Sequence, residues 1–190
     1  MTLILSCATR DFVLQVSDRK TTRPLPDGTV ETKDNDANKV VVVCNNAVVG
    51  YTGLAELDGE DTDVWLARTL AEAKARWAVD ACHAIAPKAT AALASVSYPA
   101  TLKRQAFVAV GWQVNAAGYA SSPVISYASN ALDSHGKWSQ AAANEFTTRA
   151  HVLTKPRRFL LLDAGCLLSD RRRAAIERIL RQAVRGGAGA

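Results

Sequence analysis

The sequence predicts an α/β fold of the α+β kind, a sandwich in which two mainly antiparallel sheets lie between helices. Three observations predict it. Residues 2–8 with 12–17, and residues 39–44 with 47–52, are near-continuous apolar runs that pair as hairpins, which implies strands covered on both faces. The element order is strands, two helices, strands again and a final helix, as sheets shielded by helices require. At 190 residues, 48% hydrophobic and 22% charged, the chain suits one domain whose core needs no metal or disulfide staple.

Taken in order, the polar Thr9-Arg10-Asp11 turns the first hairpin, and the two-residue period puts Thr2, Ile4 and Ser6 on one face. Residues 19–38, rich in Thr, Pro, Asp, Asn and Gly, read as a long loop of the kind that often carries function. The β-branched run from Lys39 turns at Asn45-Asn46, residues that tolerate positive φ, and returns through Tyr51-Thr52. A helical pattern follows through Val64, Trp65, Leu66, Leu70, Ala73, Trp77, Ala81 and Ile85. Asp61, Thr62 and Asp63 are its cap candidates and Pro87 its predicted end. A second, alanine-rich helix is predicted over residues 88–97, before Pro99. Strands are expected at 105–112, 123–128, 145–153 and 158–162, with 115–122 as a hairpin loop. An arginine-rich helix from Asp170 places Ala174, Ile176, Ile179, Leu180 and Ala183 on an apolar stripe. The expected organisation is a single domain over 1–185 and a flexible tail over 186–190.

The formal charge of +5 and pI near 9.2 come largely from arginines at 157, 158, 171, 172, 173, 178, 181 and 185. A basic terminal helix without an aromatic stacking module reads as a solvated or subunit-facing surface, so no nucleic-acid partner is expected. Cys7, Cys44, Cys82 and Cys166 stand far apart, and His83, His135 and His151 lack ligand spacing, so no metal is expected. Six residues precede Cys7 and none is basic, which argues against a signal peptide, and no apolar run has membrane-spanning length. The expectation is a cytoplasmic protein with no membrane partner.

Several local patterns stand together near the start. Thr2 is small enough for Met1 to be trimmed, which would free its α-amine. Asp18 lies sixteen residues further on within Ser17-Asp18-Arg19-Lys20-Thr21-Thr22, Asn38-Lys39 opens a β run, and Tyr51-Thr52-Gly53-Leu54-Ala55 closes the next one. In order and spacing this set resembles the N-terminal nucleophile (Ntn) hydrolases of the proteasome β-subunit type, over residues 2 to about 70. The resemblance implies a four-layer αββα sandwich and a threonine-type hydrolase that cleaves peptide or other amide bonds without a cofactor. It also implies a homo-oligomer, in this family a ring.

By resemblance, Thr2 is the nucleophile and its own α-amine, which titrates at roughly 7.7–8.0, is the base. Lys39 would stand beside the hydroxyl as a fixed positive charge, Asp18 would pair with Lys39, and the Gly53 N–H would face the developing oxyanion. If Gly53 faces the cleft, strand alternation turns Tyr51 and Ala55 the same way, Tyr51 flooring a substrate pocket and Ala55 leaving it open. Thr22 and Thr52 would hydrogen-bond a peptide laid alongside as an added strand.

Each residue has a structural reading as well: Thr2 in an early strand, Asp18-Arg19 in a turn with a surface ion pair, Lys39 at a strand start in water, Gly53 in a bulge. The segment between Thr22 and Lys39 is longer than the family's, so Lys33 competes with Lys39, which is preferred because it opens a β run. Asp163-Ala-Gly-Cys166 echoes the family's Asp-x-x-Ser with cysteine in place of serine, and its other later segments are not recognisable. The competing function is a catalytically inactive, proteasome-like assembly or binding protein.

Overall fold

The computed structural model describes residues 3–25, 29–115, 119–132, 138–139, 141–154, 159–165 and 168–186. These form twelve strands and three helices, a mixed α+β chain with antiparallel sheets. In order they are β1 (Leu3–Thr9), β2 (Val13–Ser17), β3 (Thr21–Pro24), β4 (Val30–Asp34), β5 (Val40–Val43), β6 (Ala47–Thr52), β7 (Glu56–Leu57), β8 (Glu60–Asp61), α1 (Thr62–Glu72), α2 (Ala78–Ala94), β9 (Ala106–Val114), β10 (Ala120–Ser129), β11 (Thr147–Val152), β12 (Phe159–Gly165) and α3 (Asp170–Gly186).

The larger sheet has the order β11-β10-β9-β6-β5 and the smaller β12-β1-β2. Alternation along β9 explains why its sequence is apolar from Ala106 to Trp112. Phe107 and Ala109 join the core beneath α1 and α2, while Ala106, Val108 and Val110 face the smaller sheet. Strand β10 divides likewise, with Val124 and Ala128 toward the helices and Ile125 and Tyr127 toward Ile4, Ala8, Leu160 and Ala164. The buried stripe of α2 is mostly alanine, at 78, 81, 86, 89 and 92, which lets that helix lie close to the sheet. Gln15 ties the two sheets, its Nε2 donating to Ser6 Oγ and to the Val108 carbonyl, each at 2.9 Å.

Helix α3 is joined to β12 by polar bonds. The Arg173 guanidinium reaches the Asp163 carboxylate and the Leu161 carbonyl, and that of Arg181 lies 5.7 Å from the Phe159 ring centroid. Leu14, Val16 and Ile179 remain exposed. No helix among the described residues is long and apolar enough to cross a membrane.

Two local expectations are corrected. Residues 19–38 are not an irregular loop throughout: they contain the β3–β4 hairpin, in which Thr22 pairs Thr32 and Arg23 pairs Glu31 in register and by side chain. The helical pattern breaks at Lys74 rather than at Pro87. Lys74 adopts a φ of 52°, its N–H donates to the Ala71 carbonyl, and the Ala75 N–H reaches Leu70 at 3.1 Å. This is a Schellman ending built on lysine instead of glycine. Pro87 sits inside α2 on its exposed face, where the missing N–H costs less than the packing of Ile85, Ala86 and Ala89 returns.

Burial pushes the Cys7 thiol from 9.0 up to about 11 and the Cys82 thiol up to about 12. Below about pH 9 both folded and unfolded chains keep these protons; above it the unfolded chain loses them first. Stability therefore falls as pH rises from about 9 toward about 12, by at most about 1.4 kcal/mol per unit for each thiol. Urea midpoints at about pH 8 and about pH 10 check this, and Cys82→Ala is expected to flatten the dependence.

Candidate active site

The β1–β2 register sets Ile4 opposite Ser17, which brings Asp18 level with Leu3. The Asp18 N–H donates to the Leu3 carbonyl at 3.2 Å, and the Leu3 N–H donates to Asp18 Oδ2 at 3.1 Å. The same carboxylate accepts from Lys39 Nζ through Oδ1 at 2.7 Å. Lys39 stands one residue before β5, where its carbonyl accepts the Tyr51 N–H at 3.3 Å and so continues the β5–β6 ladder. Its ammonium crosses to the smaller sheet and also donates to the Lys20 carbonyl.

Lys39 is 2% exposed, whereas the Asp18 side chain is 38% exposed. A buried ammonium is tolerated only with close acceptors, and here a carboxylate and a carbonyl supply them. Lys33, the competing lysine, lies on β4 and bonds Glu56 and Asp61, which hold its pKa above the ordinary lysine value, Asp61 most strongly. Thr2 lies outside the described residues; Leu3, whose amide Asp18 binds, follows it in the chain.

At the exit of β6 the chain turns at Gly53, φ 125°. The turn is clamped by Gln105, fully buried, whose Oε1 accepts the Leu54 N–H at 2.6 Å. Gln105 is held in turn: its N–H donates to Asn130 Oδ1 at 2.8 Å and its carbonyl accepts Ser129 Oγ at 2.9 Å. From the other side Thr62, at the start of α1, donates its hydroxyl to the Leu54 carbonyl and its N–H to the Ala55 carbonyl, each at 2.9 Å. The Gly53 N–H donates to no described residue, and Gly53 is exposed.

Tyr51 and Ala55 meet in one cavity of about 310 Å³, lined also by Thr21, Asn38, Lys33 and the aspartates at 34, 36, 61 and 63. Burial, then the fields of Asp63, Asp61 and Asp34, raise the Tyr51 phenol well above its ordinary pKa. Gly53 is not part of this wall. Neither is Thr22, half-buried opposite Thr32, nor Thr52, buried within the β6–β9 ladder.

Two aspartates of the wall, Asp61 and Asp63, do not announce it in the sequence because their spacing has another use. Asp61-Thr62-Asp63 matches helix-start chemistry, yet Asp61, at the N-cap of α1, makes no side-chain cap hydrogen bond and turns to Lys33 instead. The one available signal was the polarity of residues 19–38, which contribute Thr21, Asp34, Asp36 and Asn38.

The site thus combines a buried ammonium–carboxylate pair beside the first described amide of β1, an exposed N–H at a fixed glycine turn, and an adjoining acidic cavity. No family model matches the chain, and no curated protein matches it.

A Cβ at Gly53 would stand 2.1 Å from Gln105 Oε1 and 2.4 Å from the Arg104 carbonyl, at a backbone angle unfavourable to L-residues. Gly53→Ala is expected to cost about 2–4 kcal/mol. At Gly59, also at positive φ, nothing lies within 4 Å of the added Cβ, so Gly59→Ala is expected to cost only about 1–2 kcal/mol. Chemical denaturation of the two variants measures the difference.

Proposed function

We propose that the chain is a threonine-type Ntn hydrolase that cleaves peptide or other amide bonds, with Thr2 as nucleophile once Met1 is removed. The observation that carries this reading is the single Asp18 carboxylate bonded both to the Leu3 N–H and to the buried Lys39 ammonium. That pairing fixes a positive charge at the end of β1 where Thr2 joins the strand. In the proposed reaction Thr2 Oγ attacks the amide carbonyl carbon while the α-amine takes the hydroxyl proton, directly or through one water. Lys39 lowers the cost of the forming alkoxide. The Gly53 N–H donates to the oxyanion, a contribution worth about 2.7–4 kcal/mol in other enzymes. The α-ammonium then protonates the departing amine, and water, deprotonated by the same α-amine, hydrolyses the ester on Thr2.

On this reading the helices, the larger sheet, the smaller sheet and α3 are the successive layers of an αββα sandwich. Thr22 on β3 would hydrogen-bond a peptide laid beside it. The exposed Leu14, Val16 and Ile179 support a homo-oligomer, on this reading a ring, in which such apolar side chains meet a second copy. Cys7, Cys44 and Cys82 are free thiols, which fits a reducing, cytoplasmic compartment.

Intact-mass measurement is the first test: loss of Met1 is expected, and a retained methionine blocks the amine and excludes the mechanism. With a panel of fluorogenic peptides, Thr2→Ala is expected to abolish cleavage and Lys39→Ala to lower kcat by about a hundredfold or more. Cleavage surviving both substitutions overturns the assignment. A trimmed chain that cleaves nothing and takes no label from a peptide vinyl sulfone favours the inactive assembly protein.

A further inference from the structure

We propose that the cavity over Tyr51 receives a cationic side chain, lysine or arginine, from the substrate residue whose carbonyl is attacked. This rests on the hydrolase reading and adds the substrate class. The cavity lies beside the backbone of Lys39: Asn38 in its wall precedes Lys39, and the N–H of Tyr51 bonds the Lys39 carbonyl.

Its wall sets four aspartates against one lysine, and that lysine is already taken up by Glu56 and Asp61. Asp36 has Arg19 nearby at 3.6 Å, both largely in solvent. Asp34 and Asp63 have no cationic partner among the described residues. An independent observation comes from the floor. Tyr51 is 2% exposed, yet its hydroxyl makes no hydrogen bond to any described residue, and the ring lines the cavity.

With the rest of the side chain buried, that hydroxyl opens only to the cavity, so a group that enters there can supply its partner. Flanked by Asp34, Asp61 and Asp63, that hydroxyl suits a ligand carrying several N–H donors, because its oxygen and the carboxylates all accept. Among the described residues no three carboxylate, imidazole or thiol groups lie close enough to hold a metal ion, which favours an organic cation. The volume of about 310 Å³ accommodates a four-carbon ammonium or a guanidinium stem. Asp63 and Tyr51 are then specificity residues, separate from the Asp18–Lys39 pair.

The test compares peptides differing only before the scissile bond, carrying lysine, arginine, norleucine or glutamate there, with an aminocoumarin leaving group. Lysine and arginine are expected to exceed norleucine in kcat/KM by about tenfold or more. Asp63→Asn or Asp34→Asn is expected to shrink that ratio toward one, and Tyr51→Phe to reduce it; should one variant fail to fold, the others carry the comparison. Preference for norleucine or glutamate overturns the inference and leaves the hydrolase reading standing. Absence of all cleavage overturns the hydrolase reading instead. The cavity is then judged by NMR titration of the full chain with n-butylguanidinium. Shifts at Tyr51 that vanish in Asp63→Asn uphold a cation pocket, and no shift overturns it.

Discussion

The bond between Lys39 and Asp18 is the constraint on which the junction of the two sheets at the start of β1 depends. An ammonium 2% exposed must be surrounded by acceptors, and those available come from the smaller sheet, at the end of β2 and in the segment after it. Satisfying that one charge therefore docks the start of β5 against the end of β2. Asp18, held by Leu3 on its other oxygen, passes the constraint to β1. Two sheets that elsewhere share a mainly apolar interface, crossed by the Gln15 bond to Val108, are thereby joined at one end as well.

The same division of labour recurs at the Gly53 turn. Apolar side chains decide that β6 and β9 lie side by side, but they do not decide where the chain leaves the sheet. A buried polar network does: Gln105 binds Leu54, while Asn130 and Ser129 hold Gln105. Gln105 fills the space a side chain at residue 53 would need, so the positive φ and the absent Cβ follow from one contact. The result is an exposed glycine turn held on a rigid, buried polar support.

Much of the fold was legible in the sequence because burial on two faces leaves a continuous apolar run. Residues 105–112 and 47–52 read as strands for that reason, whereas the apolar run after Lys39 is a strand whose Val42 stays exposed, contrary to the expected cover on both faces. What misled was local chemistry with two possible uses. Pro87 suggested a helix end, but α2 turns it toward solvent, while the true end uses Lys74, a residue with no intrinsic preference for positive φ. Asp61 and Asp63 matched helix caps, and only their approach to Tyr51 and Lys33 makes them a cavity wall. Of the two candidate lysines, the β-branched run after Lys39 was the sole local distinction, and the structure brings Lys39 rather than Lys33 to Asp18.

The sequence by itself determined the strand-rich framework, the antiparallel pairing of its hairpins and the sixteen-residue spacing that returns Asp18 to the start of β1, since side-chain period and turn chemistry are local. Only the tertiary structure decided which charges meet: Lys39 with Asp18, Lys33 with Asp61, and three aspartates from β4 and the start of α1 around the Tyr51 hydroxyl. The physical reason is that a charge is placed by what it meets on burial, and those partners come from segments that no local pattern connects.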